Sequence, residues 1–447
     1  MKITLINHAC VKIETRSLSI LCDPWLDGPV FNNGWQLLIK TPLSMEHLME
    51  GVTHVWLSHE HPDHFSPKFL LDLAKTHAGK VTILFQRTHD GRVKKFCESR
   101  GFTVKEIGDR ERVDLGDGVA ARVSKSEFYD SWLFLDDGTT RLLNLNDCPL
   151  RDPKDIAKVA ALTGKPDILL TQFSYAAWKG GRDHKTFRED AAREKLVTVR
   201  NQIQGLQPRY VLPFASFSYF SNVENSYLND SVNTPADAAR AIEEAGAEPV
   251  VLFPGDGWEI GAPHSNESAL ARFRDVYANR EQLPMLQGEP SVPVDVLEKK
   301  FEAYRKRIYT NNSALAIWML RRLPVLGAFY PVCFRLTDLQ QTVSVSVVDG
   351  FRVVPNGPHE VELHSASLAF IFDNEFGFDT LTVNGRFEAT PVGFSKMVKG
   401  LAVGSLNAMG LTLSWKILRN TGVITTLLHR LGQVMTRLPG KPIGDLE

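Results

Sequence analysis

Apolar and polar side chains alternate in two short runs that open the chain, Lys2–Ile6 and Val11–Glu14, and Leu18–Cys22 is an apolar run that stops at Asp23-Pro24. A period of two predicts half-buried strands, and an apolar run closed by turn residues predicts a more deeply buried one. Val52–Leu57 and Val81–Phe85 read as further strands. Ser66–Thr76 sets Phe69, Leu70, Leu73 and Ala74 at helical spacing, and Arg92–Arg100 reads as a second helix. Ser131–Asp136 and Arg141–Leu145 form a hairpin around Asp137-Gly138. Beyond it come a strand (Ile168–Thr171), a helix (Glu189–Ile203), a strand (Tyr210–Pro213), a helix (Ala236–Ala245) and a strand (Val250–Phe253) closed by Pro254-Gly255. Strands that pair locally and then alternate with helices predict an α/β layered sheet.

Turn residues and charges over 266–294 read as a linker between a first domain, 1–265, and a second, 295–447. In the second, Leu297–Ile308 predicts an amphipathic helix. Ala314–Phe334 is apolar but cut by Arg321, Arg322 and Pro324, so no transmembrane segment is expected, although the stretch could lie on a surface. Val343–Val347 is a period-two strand ending at Asp349-Gly350. Phe376–Val383 and Gly385-Arg386-Phe387 continue the strand-like pattern, and from Phe394 onward the chain reads as helical. Lys399, Lys416, Arg419, Arg430 and Arg437 there predict a solvated basic face.

Composition narrows the class. The 447 residues are 43% hydrophobic and 23% charged, with 51 Lys+Arg against 52 Asp+Glu. This is a globular chain, and its balanced charge gives no basis for nucleic-acid binding. The five cysteines are Cys10, Cys22, Cys97, Cys148 and Cys333, and none begins a C-x-x-C pair. Reduced thiols in the cytoplasm are expected, and the opening MKITLINHACVKIE has no signal-peptide core.

The chemistry concentrates in Ser58-His59-Glu60-His61-Pro62-Asp63-His64, after a strand and before a helix. On such a turn His59 and His61 can face one way while Asp63 and His64 face the other, which suits two metal ions in one cleft. Imidazole with carboxylate suits zinc, iron or manganese rather than calcium.

H-x-H-x-D-H resembles the hallmark of the metallo-β-lactamase superfamily, and Asn7-His8-Ala9-Cys10-Val11 with Ile20-Leu21-Cys22-Asp23-Pro24-Trp25-Leu26 resembles the opening strands of its UlaG-like members. The resemblance covers about residues 1–260 and implies a four-layer αβ/βα sandwich, with a smaller α+β domain after it. It implies that His8 and Asp23 lie beside the site and that Asp147 bridges the two metals. Where the family's hydrolases carry a histidine before the strand Ser131–Asp136, Glu127 is the candidate, with Asp130 second. Asp63 and Glu127 are the carboxylates proposed to take part in catalysis. Ala215 occupies the position of the last histidine, leaving His184 or Asp256 to complete the second site. The glutamate and the Asn146-Asp147-Cys148 segment are similar to di-iron β-hydroxylases and to the non-Rieske part of CMP-sialic acid hydroxylases. Residues 349–350 and 381–386 weakly resemble a sterol-carrier-type domain, which implies a lipid-like ligand; Phe370, Phe372, Phe376 and Phe378 read as core.

Extra anionic oxygen favours iron over zinc. The leading expectation is therefore a di-iron, O2-dependent monooxygenase acting on a small-molecule or lipid-like substrate. No cysteine has a histidine two or three positions later, so this chain lacks Rieske ligands and needs a separate electron donor. The alternative is a dinuclear zinc hydrolase of a phosphodiester, ester or lactone; a non-catalytic scaffold is third. Trp25, Trp178, Tyr175, Tyr219 and Phe217 are expected on loops around the cleft.

Overall fold

The structure, a computed structural model, describes residues 1–126, 130–323, 326–355 and 357–414. Among these, two seven-stranded sheets face one another. The first runs Gly257–Glu259, Lys2–Asn7, Cys10–Glu14, Ser19–Cys22, His54–Leu57, Thr82–Gln86, Thr103–Ile107. The second runs Glu248–Pro249, Tyr210–Phe214, Ile168–Gln172, Arg141–Asn144, Ser131–Asp136, Val119–Lys125, Arg112–Gly116. In both, an antiparallel part passes into a parallel part: Ser19–Cys22 pairs parallel with His54–Leu57, and Arg141–Asn144 with Ile168–Gln172.

Side-chain alternation divides the layers. Trp56 joins Ile3, Val11, Leu133, Leu169 and Leu212 in the core between the sheets. Its neighbours Val55 and Leu57 point the other way, onto Leu70 and Leu73 of helix Pro67–His77 and Val93 and Cys97 of helix Arg92–Glu98. Ile168–Gln172 is buried at all five positions, as a strand covered on both faces must be. Ile156, Val199, Ile203 and Ile242, from three further helices, pack with the second sheet. The result is the expected α/β helix–sheet–sheet–helix sandwich.

Two expected strands differ. Phe376–Val383 is the helix Gly377–Asn384; buried Phe378 and Leu381 are three residues apart on one helical face, and left-handed Gly385 ends it. Val250–Phe253 leaves the sheet after Glu248–Pro249 because Val251 N–H donates to Asn266 Oδ1 and Phe253 N–H to Asp256 Oδ2. Within 266–294, Glu267–Ala278 is helical and sends Ala269 and Phe273 into the first core.

The C-terminal half carries a five-stranded sheet, in the order Gly350–Val353, Gln341–Ser346, Val332–Leu336, Val361–Leu363, Glu388–Ala389. Its core, with Phe301, Phe334, Phe372 and Phe378, is continuous with Trp25, Phe31, Trp35 and Trp178 of the first half. Trp178 stacks on Phe387 and Phe394, at centroid distances of 5.0 and 4.7 Å. No helix among the described residues is long and apolar enough to cross a membrane. Lys416, Arg419, Arg430 and Arg437 lie outside the described residues.

Candidate metal centre

Each chemistry-bearing residue stands just past the C-terminal end of a strand. His8 follows Lys2–Asn7, Asp23 follows Ser19–Cys22, and the His59–His64 turn follows His54–Leu57; Asp147 and Ala215 follow strands of the second sheet. Strand ends at this edge of an open α/β sheet form the usual ligand crevice. The backbone leaves these strands sharply: His8, Asp23, Asn146 and Ala215 have φ of 42°, 43°, 41° and 51°. Left-handed backbone costs a residue with a Cβ about 1–2 kcal/mol, and such outliers cluster at functional sites.

Two groups of nitrogen and oxygen atoms result, each with all its atoms within 4.8 Å of one another: His59, His61 and Asp147, and His8, Asp63 and His64. Asp147 joins them, with Oδ2 3.8 Å from His59 Nε2 and 3.5 Å from His64 Nε2. Asp63 Oδ2 lies 3.4 Å from His64 Nε2 and 3.3 Å from His8 Nε2. The far nitrogens are tied back. His64 Nδ1 lies 2.9 Å from Asp23 Oδ2, and Asp23 Oδ1 accepts the Ser58 N–H at 2.7 Å. Ser58 Oγ lies 2.9 Å from His59 Nδ1. An ionised Asp23 only accepts, so the His64 proton sits on Nδ1 and Nε2 is left for a cation.

The electrostatics call for positive charge. Burial holds His59 well below its ordinary pKa, with the neighbouring His64 and His61 adding to the effect. Burial also opposes protonation of His64, but Asp63, Asp147 and Asp23 outweigh it and raise its pKa well above the usual value. Asp63 and Asp147 are correspondingly held far below the carboxylate range, against burial, chiefly by His64. His64 Nε2, Asp63 Oδ1 and Asp147 Oδ1 are buried without a hydrogen-bond partner among the described residues. Unpaired buried atoms of this kind are what a bound cation satisfies. The donors are imidazole and carboxylate only, and Cys148, beside Asp147, is buried with its pKa pushed well up by burial. The residues fit a pair of borderline-to-hard divalent metals.

Residues 2–140 match the family model described as "Beta-lactamase superfamily domain". Over these residues the chain is similar to the metallo-β-lactamase-fold superfamily. Its curated relatives include the cytidine monophosphate-N-acetylneuraminic acid hydroxylases of Danio rerio, 27% identical over 54% of this chain and 43% of that protein, and Mus musculus, 25% identical over 53% and 42%. The chain thus matches less than half the length of these relatives. Similar solved structures include CmlA, a diiron beta-hydroxylase from Streptomyces venezuelae (15% identical, 58% of this chain and 54% of that one, TM-score 0.41). Another is a possible metal-dependent hydrolase from Veillonella parvula (17% identical, 58% and 98%, TM-score 0.45).

Of the residues expected at this superfamily's metal site, His59, His61, Asp63, His64 and Asp147 come together. Glu127 lies outside the described residues. Ser126 N–H donates to Asp130 O at 2.9 Å, and Asp130 Oδ1 is 3.7 Å from His59 Nε2. His184 is in neither group and stacks on Phe187 at the start of helix Lys185–Leu206. Asp256 is engaged by Arg272 and the Phe253 N–H. The imidazole that joins His64 in the second group is His8, whose backbone carbonyl accepts the Ala215 N–H at 2.9 Å. Sequence reading placed His8 beside the site but not in it; its position one residue past a strand end, like the motif's own, was the available signal. Trp25, Trp178, Tyr175, Tyr219 and Phe217 are buried packing groups rather than an open rim.

Proposed function

We propose that this protein is a dinuclear metalloenzyme that hydroxylates a small organic substrate with O2. His59, His61 and Asp147, with Asp130 and Glu127, would hold one metal, and His8, Asp63 and His64 would hold the other. One observation carries the reading: two imidazole–carboxylate groups meet at a single half-buried aspartate, whose Oδ2 lies 3.8 Å from His59 Nε2 and 3.5 Å from His64 Nε2. The sequence relation to hydroxylases supports the reaction class, and a donor set of imidazole and carboxylate is compatible with iron.

The metals supply O2 activation when bound. The chain's own part is to orient the donors: Asp23 holds His64, Ser58 holds His59, and Asp147 keeps the two centres in register. Hydroxylation consumes O2, two electrons and two protons per C–H converted to C–OH, and releases one water. The electrons come from a separate donor protein or reductant. Protein purified without added metal should carry two irons per chain and a visible band on oxidation. Two zincs in colourless protein that hydrolyses a phosphodiester would replace this reading with the hydrolase.

A further inference from the structure

The three histidines of the H-x-H-x-D-H turn are not held alike. Ser58 Oγ backs His59 and Asp23 backs His64, but no oxygen partner backs His61 among the described residues. Its ring meets His59 Nε2 through Nδ1 at 2.9 Å and, on the other side, the ring of Phe31 at 5.7 Å and 68°. Phe31 opens a turn with three consecutive left-handed residues, Phe31, Asn32 and Asn33, with φ of 51°, 51° and 57°. That conformation is fastened from far along the chain. Asn384 Nδ2 donates to Phe31 O at 3.0 Å, and Arg386 Nη1 donates to Asn32 O at 2.7 Å. Asn225 Nδ2 donates to both Gly34 O, at 2.9 Å, and Asn384 O, at 2.6 Å. The approach is so close that a Cβ on Gly34 would fall 2.4 Å from Asn384 Cβ. On the other flank of the metal turn, Arg92 reaches Glu60 at 3.7 Å while donating to Glu375 at 3.0 Å and Ala408 O at 3.2 Å.

We infer that the C-terminal half positions the metal-binding turn: Asn384 and Arg386 hold the Phe31–Gly34 turn so that the Phe31 ring fixes His61 where an oxygen partner would otherwise do so. This rests on the metal reading above. Phe31, Asn384 and Arg386 are positioning residues, acting on one of the two metal groups and leaving the other to Asp23.

The test is a Co(II) titration of the full-length apo-protein, followed by visible absorption, with histidine ring NMR of the same apo samples. Wild type takes up two cobalt ions. Phe31→Leu weakens one step about tenfold, as loss of a ligand's supporting partner does, and leaves the other within twofold. Phe31→Tyr, which keeps the ring edge, restores it. Asn384→Ala weakens the same step, and adding it to Phe31→Leu brings no further loss, since both act through one ring. The His61 ring-proton shift moves in Phe31→Leu apo-protein, a readout independent of metal. Equal weakening of both steps, or unchanged binding with an unmoved His61 resonance, overturns the inference. Wild type that binds fewer than two cobalt ions while its His61 resonance responds to Phe31→Leu overturns the metal reading and leaves the packing intact.

Discussion

Arg386→Met isolates the energetics of the join between the two halves. The guanidinium is fully buried, yet Nε donates to Glu224 Oε2 at 2.7 Å and Nη1 to Asn32 O at 2.7 Å and Glu289 Oε1 at 3.0 Å. Methionine refills the stem's volume, so little cavity forms, but two carboxylates and a carbonyl lose their cation. Removing one partner of a buried ion pair costs about 3–5 kcal/mol. Glu224 and Glu289 keep 21% and 24% side-chain exposure, so water re-solvates them in part and the lower end, about 3 kcal/mol, applies. The loss has a pH signature. Burial would raise the Glu289 pKa, but Arg386 and Asn33 hold it below the usual range, so the stability it contributes is present above about pH 4.3 and falls as the pH drops through the folded value. In the variant the unpaired carboxylate protonates more readily, and the wild-type–variant gap narrows below about pH 5. Urea unfolding at pH 7 and pH 4 measures both. A penalty under about 1 kcal/mol at pH 7, or one that Glu224→Gln with Glu289→Gln fails to reduce, refutes the pairing argument.

Three further outcomes follow from the same coordinates. Gly34→Ala drives a methyl into Asn384 and should destabilise by about 1–3 kcal/mol, visible as a lowered melting midpoint; an unchanged midpoint refutes the close approach. Asp230 and Asp338 are, like Glu289, held below their ordinary range against burial, by Arg188 and by Ser365, so unfolding free energy should fall steadily between about pH 5 and pH 2; a flat profile there contradicts these pairings. Cys10, Cys22, Cys97 and Cys148 are buried, burial pushing Cys97 up to about 12 and the other three upward as well, so none should react with a thiol reagent at pH 8 before unfolding.

The sandwich was legible where local pattern reports on burial. Trp56 between Val55 and Leu57 sends alternate side chains to two different cores, so the strand before the motif showed in its period. Strands with weak alternation did not show: Arg112–Gly116 exposes three of its five positions and was missed. Phe376–Val383 was misread because aromatic and β-branched residues mimic a strand; the deciding feature was Gly385 as a left-handed helix cap. The metal turn was legible because its donors are adjacent in sequence. His8 was not assigned as a donor because it lies 55 residues from Asp63, and only pairing of the sheet's strands brings them together. Asn-Asn-Gly after Phe31 tolerates left-handed backbone, but nothing local tells that Asn384 and Arg386 hold the turn.

These long-range ties change how the second half of the chain relates to the chemistry. A catalytic unit that merely carried an appended domain would place its ligands with its own residues. Here the first half supplies the donors, and their backbone leaves the strands through left-handed residues at His8, Asp23, Asn146 and Ala215, conformations that persist only when their surroundings over-determine them. The flanks of the metal-binding turn, by contrast, are tied to the second half: Asn384 and Arg386 on the Phe31 side, Glu375 and Ala408 through Arg92 on the Glu60 side. The metal-binding turn lies between two supports more than 280 residues further along the chain. Geometry at His61 and cohesion between the halves are therefore one physical problem, and a substitution that loosens the join must also loosen the centre.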